Sequence, residues 1–115
     1  MSITLYGIPN CNTVKKARRW LADAGIAYTF HDYKKQGITE AKLRAWSKEK
    51  SWELLLNKRG TTFRKLDESQ RANITQSSAI KLMKEHTSMI KRPVIEGSKE
   101  LLIGFDEASY KANLN

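Results

Sequence analysis

The chain has 115 residues and one cysteine, Cys11, so it can form no internal disulfide, and a single thiol fits a reducing compartment. No apolar run approaches the ~18 residues of a membrane span. The start, MSITLYGIPNC, lacks the basic opening and long apolar core of a secretory signal, so a cytoplasmic protein is expected. Two histidines, His31 and His86, stand far from Cys11 and from each other, which gives no metal-ligand spacing. There is no phosphate-cradling glycine loop, no paired-carboxylate motif, no internal repeat and no linker-like tract. Acidic residues are the scarcer charge, 12 against 21 Lys and Arg, for a net charge of +9. Such a field favours anionic partners: nucleic acid, phosphates, carboxylates or acidic proteins. The cations are spread along the whole chain, so charge alone selects none of these.

What is present reads as one domain, large enough to fold on its own core. Ile3 to Tyr6 is β-branched and aromatic, and Gly7 and Pro9 then punctuate, which predicts a buried strand and a turn. Val14, Ala17, Leu21 and Ala24 recur at helical spacing, and Gly25 is a helix stop. Ile26 to Tyr33 alternates and predicts a second strand, parallel to the first across a βαβ crossover. From Gly37 to His86 the chain reads as helical. Thr39 opens one segment, Ser51 caps a short one, and Asn57 to Thr62 is a loop. Asp67 to Ala72 is a helical turn, and Thr75 caps a helix reaching His86 that buries Ile80, Leu82 and Met83. Pro93 to Ile95 and Leu101 to Ile103 then pair around the turn Glu96 to Lys99, and Glu107 to Ala112 is a last helix. Without the helical block the order is the thioredoxin plan. The expected fold class is α/β, a mixed four-stranded sheet covered by helices. The core spans about residues 1–36 and 87–115, and the helical insertion about 37–86.

Cys11 stands in the polar turn before the first helix. Unpaired N–H groups and the helix dipole there favour a thiolate over a thiol. Lys15, four residues on, shares a helix face with it. The turn also places the sulfur at the C-terminal edge of a strand, where α/β sheets bind ligands. A lone cysteine is just as readily a small buried hydrophobe. Trp20, Trp46, Trp52, Phe63 and Tyr110 read as packing residues. Arg59 and Arg92, taken alone, are surface cations.

LYGIPNCNTVKKARRWL followed by GIAYTFHDY, then LLNKRGTTFRKL, IKRPVI and LLIGF in that order, resembles the arsenate reductase (ArsC) family in its Spx and YffB branch. The resemblance covers nearly the entire chain. It implies a thioredoxin-like fold with a helical insertion, a cysteine thiolate as nucleophile, and glutathione or glutaredoxin as reductant. By the same match Cys11 is the nucleophile, Arg59 and Arg92 are anion-binding arginines, and Pro93 takes the cis-proline position. Asn10 and Asn12 flank the thiol as hydrogen-bond partners. Two departures narrow the match. The last strand region reads LLIGFDE, without the third arginine of arsenate reductases, which disfavours arsenate as substrate. The CxxC switch of Spx regulators is here Cys11-Asn12-Thr13-Val14.

With no resolving cysteine, an oxidised Cys11 must be released by an outside thiol. Glutathione's two carboxylates suit Arg59, Arg92 and Lys15. The implied function is a glutathione-dependent thiol reductase acting on a small-molecule or protein thiol substrate, with no membrane partner. An Spx-like regulator that contacts RNA polymerase is the alternative, and direct nucleic-acid binding rests on charge alone.

Overall fold

The computed structural model describes residues 2–114. The chain forms two compact units, one from Met1–Gln36 with Arg92–Asn115 and the other from Gly37–Lys91.

The first unit is built on a sheet. Its elements are β1 (Thr4–Gly7), α1 (Asn12–Asp23), β2 (Thr29–Asp32), the short α2 (Tyr33–Gln36), β3 (Val94–Glu96), β4 (Leu102–Ile103) and α8 (Glu107–Leu114). The strands lie in the order β2-β1-β3-β4. β1 and β2 are parallel, as a crossover through α1 requires, and the pairs β1–β3 and β3–β4 are antiparallel. Leu5, Ile95 and Leu102 on the strands bury against Val14, Ala17 and Leu21 of α1 and Tyr110 of α8. Those three α1 positions fall three and four apart, so one helix face supplies its whole share of the core. Val14 and Leu21 each contribute roughly 1.5–3 kcal/mol on burial, and Ala17 less. Tyr110 also donates its O–H to the Gly104 carbonyl at 2.6 Å. Trp20 meets the Tyr110 ring edge-on at 5.3 Å.

The second strand is shorter than its alternation suggests. The Ile26 N–H donates to the Leu21 carbonyl at 2.9 Å, so Ile26 closes the end of α1, and Gly25 (φ 70°) makes that reversal. At the other end Asp32 stops the strand. Its Oδ1 accepts the Lys34 N–H at 2.9 Å and opens α2 at Tyr33.

The second unit is helical: α3 (Glu40–Lys50), α4 (Trp52–Leu55), α5 (Thr61–Arg64), α6 (Glu68–Ala72), α7 (Gln76–Glu85) and a 3₁₀ turn at Thr87–Met89. Leu43, Trp46, Leu55, Leu56, Ile80, Met83, Met89 and Ile90 are buried in it. An antiparallel clasp ties its end, with Asn57 N–H donating to the Met89 carbonyl at 2.7 Å and Lys91 N–H to the Leu55 carbonyl at 2.8 Å. That clasp carries the unit on to Lys91, five residues past His86. The segment read as a loop up to Thr62 instead turns helical at Thr61, where Phe63 buries. Among the described residues no helix is long and apolar enough to cross a membrane.

Candidate active site

The site starts at Gly7, the last residue of β1. A Cβ there would lie 2.8 Å from Cγ2 of Val14, closer than real side chains approach. Glycine therefore lets the first turn of α1 seat directly on the end of the strand. Ile8, Pro9 and Asn10 form the intervening turn, with Pro9 and Asn10 exposed.

Cys11 follows as the N-cap of α1, with extended backbone (φ −146°, ψ 123°). Its carbonyl accepts the Lys15 N–H at 2.9 Å, the first bond of the helix. Its side chain caps nothing, and no acidic residue stands in the first turn. The residue is half-buried, with one flank on the core around Leu5 and Val14. The thiol thus sits at the positive end of a 12-residue helix whose leading N–H groups have no side-chain cap. Backbone groups so arranged attract negative charge. Asn12 and Lys15 are exposed beside it.

Register brings a second segment to this end of the sheet. Tyr6 of β1 pairs with Val94 of antiparallel β3. Arg92 and Pro93, which precede Val94, therefore lie where β1 leaves the sheet toward Cys11. The Arg92–Pro93 bond is cis, Pro93 is buried and Arg92 half-buried. Cys11, Asn10, Asn12, Lys15, Arg92 and Pro93 thus share one edge of the first unit. Arg59 belongs to the second unit. It is exposed, and its backbone N–H donates to Asn57 Oδ1 at 3.1 Å.

One group at the same sheet end was not singled out from sequence. Tyr33 directly follows β2, is 2 % exposed, and its hydroxyl has no hydrogen-bond partner among the described residues. Its ring neighbours Tyr6, centroids 6.2 Å apart, and His31, at 5.9 Å. Burial, with smaller contributions from Tyr6 and Glu96, pushes the phenol far above its ordinary range, while the Arg92 charge works in the opposite sense. Tyr33 is therefore a neutral O–H donor at any physiological pH. Its signal in the sequence was its place directly after a parallel strand, masked by the aromatic alternation it completes. Tyr6, alongside, donates its O–H to Glu96 Oε1 at 2.8 Å. Among the described residues no three metal-ligating side chains gather.

A mixed four-stranded sheet of order β2-β1-β3-β4, with a cis proline ahead of β3 and a thiol opening the first helix, is the thioredoxin-like arrangement interrupted by a helical unit. Known proteins agree. The ArsC family profile matches residues 6–113. A solved protein called YffB superposes with a TM-score of 0.95 at 50% identity, covering 99% of this chain and 100% of its own. An arsenate reductase (ArsC) related protein from Brucella melitensis reaches 0.77 at 54% identity, over 97% of this chain and 93% of its own. The global transcriptional regulator Spx 1 of Lactococcus lactis is 32% identical, over 97% of this chain and 88% of its own length. The chain belongs to the ArsC family.

Proposed function

We propose that the protein is a thiol–disulfide reductase in which Cys11 is the nucleophile and glutathione the reductant. One observation carries the reading. The only thiol of the chain is the uncapped N-cap of α1, half-exposed at the end of β1, beside the open N–H groups of the helix's first turn.

The cycle needs one sulfur. The Cys11 thiolate attacks the glutathione sulfur of a mixed disulfide R–S–S–G. The S–S bond breaks, a Cys11–S–S–G bond forms, and R–S⁻ departs with the electron pair and takes a proton from water. A second glutathione thiolate then attacks the adduct, releasing the Cys11 thiolate and oxidised glutathione. In sum, R–S–S–G and one glutathione thiol become R–SH and GSSG: the R sulfur is reduced and the incoming glutathione sulfur oxidised. Lys15 and Arg92 supply cations for glutathione's carboxylates, and Asn10 and Asn12 supply amide groups beside the sulfur. The absence of arginine from Leu101 to Glu107 argues against arsenate as the substrate.

The test is to incubate the protein with oxidised glutathione and measure intact mass. One glutathione adduct, mapped to Cys11 and removed by added thiol, is expected. A chain that stays unmodified, while denatured protein is modified, contradicts the reading.

A second reading is favoured by the relatives named Spx: a regulator that contacts RNA polymerase without catalysis. It expects capture of the polymerase by wild type and Cys11→Ser alike, whereas the reductase reading expects the Cys11→Ser variant to lose its chemistry.

A further inference from the structure

Beside the thiol, one face of α1 carries unmatched charge. Asn12 lies three and four residues before the adjacent pair Lys15 and Lys16, and Arg19 four and three residues after it. All are exposed, and they line a groove of about 390 Å³. At ~1.5 Å rise per residue the stripe runs from Cys11 to Arg19 over about 12 Å.

This arrangement works against the helix that holds it. Lys15 and Lys16 lie toward the positive end of α1, where the dipole favours carboxylates, and the first turn contains none. Lys15 with Arg19, and Lys16 with Arg19, are like charges at separations where side chains meet and repel. Among the described residues, none of the three is paired with a carboxylate. Other cations are used internally. The Arg18 guanidinium lies 4.3 Å from the Phe30 ring centre, and its Nε donates to the Tyr28 hydroxyl at 2.9 Å. Arg44 pairs with Glu40 at 2.8 Å. Asp23, four residues past Arg19, offers a carboxylate at the far end of the strip, but Lys15 and Lys16 near Cys11 have none beside them, a breach of local helix preference of the kind found at functional surfaces.

We propose that this face of α1 is a docking strip for an acidic polypeptide segment, laid along the helix so that its own sulfur meets Cys11. The inference builds on the reading of Cys11 as a nucleophile and names its substrate class: a polypeptide–glutathione mixed disulfide flanked by Asp and Glu. Spacing fits. Alternate residues of an extended segment are about 6.6 Å apart, and Lys15 and Arg19, four helical residues apart, are separated by about 6 Å along the axis. Nucleic acid fits less well. Three cations fall short of the roughly 6–10 phosphate contacts of a nucleic-acid surface. Trp20, which follows Arg19 in the chain, is half-buried against Tyr110 and so offers no open stacking platform.

The experiment is fluorescence anisotropy with the whole protein and a labelled ten-residue peptide of alternating Glu and Ser that contains no cysteine. Saturable binding at low salt that weakens as salt rises is expected. Lys16→Glu/Arg19→Glu weakens it by about tenfold or more, whereas the same charge change on α7, Lys81→Glu/Lys84→Glu, weakens it by less than about threefold. Equal losses from both double variants reduce the effect to net charge and overturn the proposal. So does binding of an oligonucleotide of equal charge with none of the peptide, or peptide binding indifferent to salt. The salt titration on the unaltered chain stands even if a variant misfolds. Because the peptide carries no sulfur, this outcome is independent of the glutathione adduct: docking can fail while the thiol reading survives, and the reverse.

Discussion

The capped helices of the helical unit and α1 of the sheet unit begin differently. In the helical unit, Thr39 Oγ1 accepts the Lys42 N–H at 3.1 Å to start α3, with Glu40 in the first turn. Ser51 Oγ accepts from Glu53 to start α4, and Thr75 and Ser78 exchange bonds at 3.2 and 2.9 Å to start α7. Each is what helix physics favours. In the sheet unit, the longest helix of the protein starts on a cysteine that caps nothing, without a nearby acid, and with lysines where carboxylates belong. The capped starts serve folding. The start of α1 gives up stability and keeps a sulfur among open N–H groups, which is the trade expected of a reactive site.

The largest break in that comparison is Cys11→Ser. Adduct formation with glutathione falls to nothing. At the same time the serine Oγ can accept a helix N–H, so denaturant unfolding should show a gain of about 0.5–1 kcal/mol. Loss of stability instead would mean that the sulfur is there for packing. Gly7→Ala comes next: the added methyl meets Val14 and should cost about 1–3 kcal/mol. It shifts the start of α1 and slows alkylation of Cys11 in the folded protein. Thr39→Ala and Thr75→Ala sharpen the other side, each destabilising by about 1 kcal/mol and leaving the alkylation rate of Cys11 unchanged.

The smallest effect concerns Asp106 at the start of α8. Its Oδ2 accepts the Ser109 hydroxyl at 2.6 Å, and that bond, with backbone N–H groups of Ser109 and Ala108, holds its carboxyl below the usual range. A lowered folded-state value stabilises above the unfolded pKa and is lost as pH falls through the folded one. Asp106→Asn should therefore lower Tm slightly at pH 7, and thermal scans should show the difference from wild type shrinking below about pH 4.

Much of this was written in short stretches of sequence. Ile3 to Tyr6, the spacing of Val14, Ala17 and Leu21, and Gly25 specify β1, α1 and its stop by local chemistry. So do Thr39, Ser51 and Thr75 for their helices. The helical start at Thr61 was hidden because four residues with one buried side chain, Phe63, set up no periodicity. The early end of β2 depended on Asp32 bonding forward to Lys34, which alternation cannot reveal. At the site, Cys11 was legible from its turn and helix start. Arg92 and Pro93 reach the same sheet edge only through the β1–β3 register, a pairing of residues nearly ninety positions apart. Without the family resemblance neither would have been chosen. Tyr33 escaped notice because its burial and unbonded hydroxyl arise from neighbours on three separate segments.

The most direct test of the central claim is the rate at which iodoacetamide alkylates Cys11 in the folded protein at pH 7, set beside free glutathione under the same conditions. Open helix N–H groups beside an accessible sulfur favour its attack, and Cys11 is expected to react faster than glutathione. A rate equal to or below that of glutathione, with the protein still folded, would contradict the account.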